Sequence, residues 1–545
     1  MTTAAVPPEG VDGDSSEEDR RANAEADEAT DTSTEDREDT PRIAVVIVHG
    51  MGEQRPVETL NGFVCTALKP TTHGTWDYYY SRPAEVTKSY EARRYIAPAR
   101  PDLDLDQAQT ELFEYHWSYL MTGNKIGDLF GSTTRLLVRR AKHVPPGLRG
   151  IWKVAWWAVV LAFLMLAAGC VASFFVPPCV RAVAGSAVVV GAVTLIIGAV
   201  RNKITNTFVD VVRYLDTSPR SYAARRAIRG GLVDLLRGLH DQKRYTRIVV
   251  VAHSLGAFIS YDAMSSLWAD LHEFHAGPPG PAEPGKQIRL EGLTDLQKAA
   301  DDVLECARTN PCLSSDLPTG DPVQKAHLDE WKKVHTKFQD CQYALGKGLR
   351  KQGNPWRITD FVSVGTPMYL ADILCTNPGL LSGWRKPAAA RTAFGDMMRR
   401  GELVRCPPRS ETQTVEDPVE LTSMKYRWRY GTRQVLGSQS LFAVVRWTNL
   451  WFPVETGSVR GDFFGGPLQT LFGPGIREKR VMGNTPGREA RWGVAHGRYF
   501  DYPDDDGETD IAHYIRQILD LGDTVDIAGT LPTDPNTGGD RIAAD

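Results

Sequence analysis

A serine bracketed by small residues follows a strand pattern near the middle of the chain. Residues 248–251 are four consecutive β-branched residues, which is typical of a short strand buried on both faces. Ala252, Ser254 and Gly256 follow, and the apolar sequence after them predicts a helix. A serine on a sharp turn between strand and helix needs small neighbours, since larger side chains would collide with the adjacent strand. The pattern predicts that Ser254 is a nucleophile and that the Leu255 amide, at the helix N-terminus, faces developing negative charge.

A second strand pattern ends in a glycine-containing turn. Residues 43–48 are apolar and run into His49, Gly50 and Met51. Glycine lets the backbone turn so that an amide, here that of Met51, can face the substrate oxygen. The sequence therefore predicts an oxyanion hole made by the amides of Met51 and Leu255. The residues that shape the two turns, without a proton-transfer role, are His49, Gly50, His253 and Gly256.

A serine nucleophile needs a general base and a carboxylate partner, and both are expected later in the chain. His496 follows the last predicted strand, whereas His513 falls inside a closing helix. The acid should follow the penultimate strand, where Glu455 is the first choice and Asp462 the alternative, with Asp360 a distant third. The histidine would take the proton of the serine and return it to the leaving alcohol, while the acid orients the imidazole.

Two long apolar runs precede the serine segment. Residues 154–176 are 23 residues without a charge, and residues 182–200 are 19 more. Each run approaches or exceeds the roughly 20 apolar residues that span a bilayer core. Lysine and arginine cluster outside the two runs, and only Arg181 stands between them. We therefore predict a transmembrane hairpin at 151–200 with both ends in the cytoplasm, the alternative being a hydrophobic hairpin buried in a soluble fold.

The charge distribution and the cysteines indicate a disordered segment and the compartment of the protein. Residues 1–40 hold 14 acidic residues and 3 arginines, a net charge of −11, so the rest of the chain carries +7 within a total of −4. That segment has almost no large apolar side chain and is predicted to be a disordered acidic tail without a signal peptide. The 8 cysteines lack paired spacing, which favours a reduced compartment and indicates no metal site. No cofactor and no nucleic-acid partner are expected.

The predicted organisation is one α/β domain interrupted by the hairpin. Strand patterns alternate with helical ones, as in a mostly parallel, doubly wound sheet. Two polar insertions interrupt its second half, and the first is predicted to lie on the rim of the site as a cap. The predicted boundaries are 1–40 for the tail, 41–150 for the first half, 201–521 for the second half with insertions at 276–355 and 376–435, and 522–545 for a C-terminal tail.

Four segments resemble the serine lipases and esterases of the α/β-hydrolase fold. They are residues 45–52, 252–262, 364–367 and 496–500. The narrower similarity is to the DDHD-type, phosphatidic-acid-preferring phospholipases A1. Residues that match motifs of that family around the serine are Asp210, Tyr214, Tyr261 and Asp262.

The same resemblance indicates which carboxylate would be the partner of the histidine. The Asn-x-Phe-His-Pro-x-Asp-Pro-Val segment of those phospholipases corresponds to residues 449–457, which places Glu455 at the position of their acid. Here glutamate stands for aspartate, and Ala252 stands for the first glycine of the serine motif. The late His-x-x-Tyr-Trp segment of the family corresponds to residues 496–500.

The resemblance implies an enzyme that acts on lipid. We expect a membrane-anchored serine hydrolase that cleaves carboxylic esters, of lipids or phospholipids, through an acyl-enzyme. Two alternatives stay open at this point: a thioesterase or acyltransferase for membrane-bound acyl groups, and a catalytically inactive scaffold held at the membrane.

Overall fold

The computed structural model describes part of the chain, and the statements below concern that part. The described residues are 42–50, 58–67, 80–83, 93–97, 109–120, 144, 148–173, 214, 219–273, 287–309, 322–371, 397–398, 403–408, 424–428, 431–454, 461–481, 495–500 and 510–519. The predicted tails at 1–40 and 522–545 lie outside these residues, as does Asp210.

Parallel strands dominate the described fold, which is α/β. The strands are β1 (Arg42–Val48), β2 (Tyr80–Pro83), β3 (Arg93–Ala97), β4 (Gln109–Tyr115), β5 (Tyr245–His253), β6 (Gln287–Ile288), β7 (Ile358–Val364), β8 (Met424–Trp428), β9 (Gly431–Val435), β10 (Arg446–Trp451) and β11 (Arg477–Arg480). Within the described residues one sheet has the order β11-β10-β7-β5-β1-β4-β3-β2. The first six strands in this order are mutually parallel. Strand β3 pairs antiparallel with β4, and β2 pairs antiparallel with β3. A smaller sheet joins β6, β9 and β8.

The centre of the large sheet is the β1–β5 pair. Both strands are runs of β-branched residues, and their side chains are buried on the two faces of the sheet, as expected for a parallel sheet covered by helices. Val48 pairs with Ala252 at the end of the ladder. Because the strands are parallel and end together, the turns after β1 and β5 must lie side by side.

Helices surround this sheet. They are α1 (Glu58–Ala67), α2 (Arg149–Ser173), α3 (Pro219–Asp241), α4 (Leu255–Leu271), α5 (Leu293–Thr309), α6 (Pro322–Lys351), α7 (Gln469–Phe472) and α8 (Asp510–Leu519). Helix α3 buries a stripe of apolar residues spaced three and four apart, from Ile228 to Leu239. Helix α4 buries its first seven residues, Leu255 to Tyr261, and its N-terminus adjoins the end of β5.

The first predicted insertion is tied to the end of the sheet opposite Ser254. Helix α6 contributes Gln342, whose side-chain amide donates to the carbonyls of Phe442 (2.7 Å) and Val445 (2.9 Å), just before β10 begins. Asn354, after the helix, donates to the carbonyl of Leu271 at the C-terminus of α4. These contacts place the described part of the insertion away from the serine, although its sequence suggested a cap.

The predicted membrane hairpin is described only in part. Residues 154–173 of its first apolar run lie in α2, whereas the end of that run and the second run, 182–200, lie outside the described residues. Among the helices that the structure describes, none is both long enough and apolar enough to cross a membrane. The hairpin therefore stays a prediction.

A buried ion pair joins three neighbouring strands near their N-terminal ends. Asp360 of β7 accepts from Nε (2.8 Å) and Nη2 (3.0 Å) of Arg446, and Arg247 lies 3.5 Å away. Burial raises the pKa of Asp360, but the two guanidinium groups outweigh it, and the pKa is lowered overall. These contacts give Asp360, the third-choice acid, a structural role remote from the serine.

Replacing Asp360 by Asn should destabilise the fold by about 3–5 kcal/mol, since it leaves a buried guanidinium without its anion. In the wild type, the depressed pKa gives a stabilisation that is present above the unfolded-state pKa near 4 and is lost as pH falls through the folded value. Urea unfolding between pH 3 and pH 7 measures both effects. The control is Asp302→Asn, which removes an exposed pair with Lys337 and should cost at most about 1 kcal/mol. Equal effects of the two variants would contradict this account.

Candidate active site

Ser254 occupies a strained turn between β5 and α4. Its backbone has φ 54° and ψ −123°, a left-handed conformation that non-glycine residues rarely adopt. Its N–H donates to the carbonyl of Val364 in β7 (2.9 Å), which fixes the turn to the next strand. Helix α4 begins at Leu255, so the Leu255 amide is among the N-terminal donors that the helix itself leaves unpaired.

Two glycines allow the turns after β1 and β5 to touch. A Cβ at Gly256 would lie 2.5 Å from the carbonyl oxygen of Val48 and 2.6 Å from that of His49. A Cβ at Gly50 would lie 2.8 Å from Cβ of Ser254. Both positions therefore exclude larger side chains, as the sequence pattern predicted for Gly256. The loop after β1 thus passes directly beside the serine, although Met51 itself lies outside the described residues.

Three side chains form a continuous hydrogen-bonded chain at this edge of the sheet. Oγ of Ser254 lies 2.8 Å from Nε2 of His496. Nδ1 of His496 lies 3.1 Å from both carboxylate oxygens of Asp462. Ser254 and Asp462 are buried, whereas the His496 side chain retains 14% of its exposure. The order hydroxyl, imidazole, carboxylate is the one in which imidazole can accept the serine proton while the carboxylate stabilises the resulting imidazolium.

The environment of Asp462 favours its charged form. Burial raises its pKa, but His496 and hydrogen bonds from the Tyr499 hydroxyl (2.6 Å to Oδ2) and the Phe464 amide (2.8 Å to Oδ1) outweigh it, and the pKa is lowered overall. Gly465 makes this close arrangement possible, because a Cβ there would lie 2.7 Å from Oδ2. The carboxylate is thus fixed by its donors before any substrate is present.

Of the predicted acids, the structure places the alternative rather than the first choice on the histidine. Both carboxylate oxygens of Asp462 lie 3.1 Å from Nδ1 of His496. Glu455 lies outside the described residues. The first choice followed the resemblance to the phospholipase motif, in which Glu455 stands at the position of the acid. In space, however, the chain returns: a Cβ at Gly461 would lie 2.3 Å from the carbonyl oxygen of Pro453. Gly461 therefore lies beside Pro453, which places Asp462 next to the residues that follow β10.

The two turn histidines are buried and bond to backbone groups, and burial favours their neutral form. His49 accepts the Trp117 amide at Nε2 (3.1 Å) and bonds the Gly50 carbonyl through Nδ1 (2.8 Å), which fixes the Nδ1–H tautomer. Burial lowers the pKa of His49 to about 3. His253 donates from Nε2 to the carbonyl of His496 (3.0 Å), and burial also lowers its pKa to about 3. Neither ring is placed to exchange a proton with Ser254.

Several supporting residues escaped the sequence reasoning. Trp117 braces the loop after β1 through both of its N–H groups, and Phe464 places its ring centroid 4.8 Å from that of His496. Gly365, at φ +55°, makes room for the Tyr499 ring, since a Cβ there would lie 2.4 Å from it. The Gly-Asp-Phe-Phe-Gly-Gly sequence of 461–466 was the available signal, because glycines can indicate close backbone approach. Among the described residues no cluster suits a metal ion, and His513 falls within α8.

The protein was compared with protein-family models, with curated proteins and with solved structures, and none of them matches it.

Asp462→Asn should lower the rate of Ser254 acylation by up to about 10⁴-fold, because an amide cannot hold the imidazole tautomer or stabilise its cation. Glu455→Gln is the matched variant and should leave the rate within a few-fold of wild type. Both rates can be read from the release of p-nitrophenol from a short-chain ester. A larger loss in Glu455→Gln than in Asp462→Asn would return the acid to Glu455.

Proposed function

We propose that this chain is a serine hydrolase with an α/β-hydrolase fold that cleaves carboxylic esters through an acyl-enzyme. The observation that carries the proposal is the chain of contacts from Ser254 through His496 to Asp462. The serine turn follows the central strand β5, the acid follows β10 and the histidine follows β11. That chain order, serine, acid, histidine, is the one typical of α/β-hydrolases.

The proposed reaction follows from the contacts. His496 Nε2 takes the proton of Ser254 Oγ as this oxygen bonds to the ester carbonyl carbon, and the carbonyl electrons move to its oxygen. The amide of Leu255, and the predicted amide of Met51, would stabilise this oxyanion. When the oxyanion collapses, the bond to the alkoxy group breaks and His496 returns the proton to the leaving alcohol. Water then attacks the carbonyl carbon of the acyl-enzyme while His496 takes its proton. The bond to Ser254 Oγ breaks, His496 returns the proton to Oγ, and the carboxylic acid leaves.

The position of Asp462 weakens the alternative of an inactive scaffold. That alternative was based on Glu455, a glutamate at the position where the phospholipases have their aspartate. An aspartate within 3.1 Å of the imidazole, accepting two further hydrogen bonds, would supply the function that Glu455 was expected to supply. A thioesterase or acyltransferase would use the same three side chains, and a substrate panel distinguishes it by the leaving group and the acyl acceptor.

Lipid is the proposed substrate class because α2 exposes apolar side chains beside the site. Trp157 and Phe163 retain 72% and 73% exposure. Among the residues of this helix whose burial is described, the exposed large hydrophobic ones are Val154, Trp156, Trp157, Val160, Leu161, Phe163, Leu164 and Val171. Exposed apolar groups in such density are typical of surfaces that contact membrane or protein.

The base of the same helix packs next to the catalytic histidine. Trp152 packs against a cluster that contains Phe463 and Phe464, the two residues after the acid. The ring of Phe464 in turn contacts that of His496. If α2 enters a bilayer, as we propose, the site lies at the lipid surface and an ester can reach Ser254 without crossing bulk water.

A fluorophosphonate should label the protein once, at Ser254. In this reaction Oγ bonds to phosphorus, fluoride leaves and His496 accepts the proton. Peptide mapping locates the adduct, and Ser254→Ala should abolish it in folded protein, with hydrolysis of a lipid-ester panel lost in parallel. Labelling that persists in Ser254→Ala, or folded wild type that takes no label, would contradict the proposal.

Trp157→Glu together with Phe163→Glu should weaken membrane attachment, because an acidic group within the bilayer costs about 2.5–3.5 kcal/mol on insertion scales. Flotation of the full-length protein with phosphatidylcholine and phosphatidic-acid vesicles measures it. Tyr222→Glu is the matched control, since Tyr222 is an exposed aromatic residue on α3. Equal flotation of the double variant and the control would place the attachment elsewhere.

A further inference from the structure

The acid of the proposed triad lies on a glycine-rich loop without regular secondary structure, which we call the acid loop (residues 461–468). Its first half carries Asp462 and the Phe463–Phe464 pair. Its second half runs through Gly465 and Gly466 to the short helix α7. A loop of this composition does not hold a side chain in place by itself, because glycine has a large conformational freedom to lose. The contacts made from outside must fix it.

One carboxylate, that of Glu478 on β11, holds the end of the acid loop. Its Oε1 accepts the amides of Leu468 (2.5 Å) and Gln469 (3.1 Å). Its Oε2 accepts Nδ2 of Asn449 (2.9 Å) and Nε1 of Trp451 (3.1 Å). Four N–H donors therefore converge on one side chain, two from the loop end and two from β10.

The same network reaches further into the acid loop. Nδ2 of Asn449 also donates to the carbonyl of Gly466 (3.0 Å), and Oδ1 of Asn449 lies 2.9 Å from Oγ of Ser363 in β7. The Tyr369 hydroxyl donates to the carbonyl of Phe463 (2.6 Å). The loop is thus fixed to the sheet after the acid, and Glu478, whose pKa burial raises to about 7, is the ionisable group in that set of contacts.

We propose that Glu478 is a positioning residue for catalysis, which acts by holding the acid loop so that Asp462 meets His496. It touches neither Ser254 nor His496, and its effect passes through the loop alone. The inference rests on the proposed serine-hydrolase function, because it needs a triad whose geometry matters to rate. It goes beyond that function by assigning a second carboxylate that no catalytic motif marks.

The isosteric variant Glu478→Gln tests this directly. A glutamine oxygen can still accept the two loop amides, but its NH₂ group would face the donors of Asn449 and Trp451, so the network must rearrange. We expect the maximal rate of fluorophosphonate labelling to fall by roughly ten- to hundredfold, as for small misplacements of a catalytic group, with the probe concentration at half-maximal rate unchanged. The matched control is Asp360→Asn, which also removes a buried carboxylate of the sheet and should lower the melting temperature without changing the labelling rate of the folded protein.

A double-mutant cycle separates positioning from general destabilisation. In the Asp462→Asn background, Glu478→Gln should cause no further loss, because the group it positions is already gone. An equal fold-loss in both backgrounds, or unchanged labelling in the single variant, would overturn the inference. If Glu478→Gln does not fold, Trp451→Phe removes one of the four donors and carries the same comparison. Wild type that does not label at all would instead overturn the proposed function, so the two failures are distinguishable.

Discussion

The approach of the first turn of α4 to the end of β1 is the constraint on which the site depends. Gly256 lies so close to the carbonyls of Val48 and His49 that no Cβ fits. This contact fixes the direction of α4, forces Ser254 into its positive-φ conformation and brings the loop after β1 beside the serine. The parallel register of β1 and β5 sets up the contact, since it makes the two strands end together. A strained residue persists only where its surroundings determine it this strongly.

A second set of constraints acts from the other side of the sheet. His496 and Asp462 come from regions without long helices or strands, and both are held by short polar contacts rather than by burial in the sheet. Tyr499 connects them, because its hydroxyl donates to Asp462 and accepts the amide of Phe452 at the end of β10. The triad is therefore assembled at one edge of the sheet from three separate stretches of chain, each fixed to a strand end.

The sequence predicted those parts of the site that local spacing determines. Ser254, Gly256 and the His49-Gly50 turn follow strands with an unmistakable apolar pattern, so the α/β arrangement and the serine turn could be predicted. His496 followed from chain order. For the acid, the sequence offered Asp462 only as the alternative to Glu455. Gly461 lies beside Pro453, and such a close approach cannot be recognised from linear distance along the chain. Helix α6 was expected on the rim, yet Gln342 ties it to the opposite end of the sheet, since a polar helical pattern does not say which surface it covers.

The central claim is that Ser254 forms a covalent acyl intermediate with an ester. Its most direct test is acid quenching of the protein during turnover of a p-nitrophenyl acyl ester, followed by mass analysis of the peptide that contains Ser254. The account predicts an acyl group on that peptide in the wild type, and neither the acyl group nor turnover in Ser254→Ala. Turnover that continues in Ser254→Ala, or an acyl group carried by another residue, would contradict it.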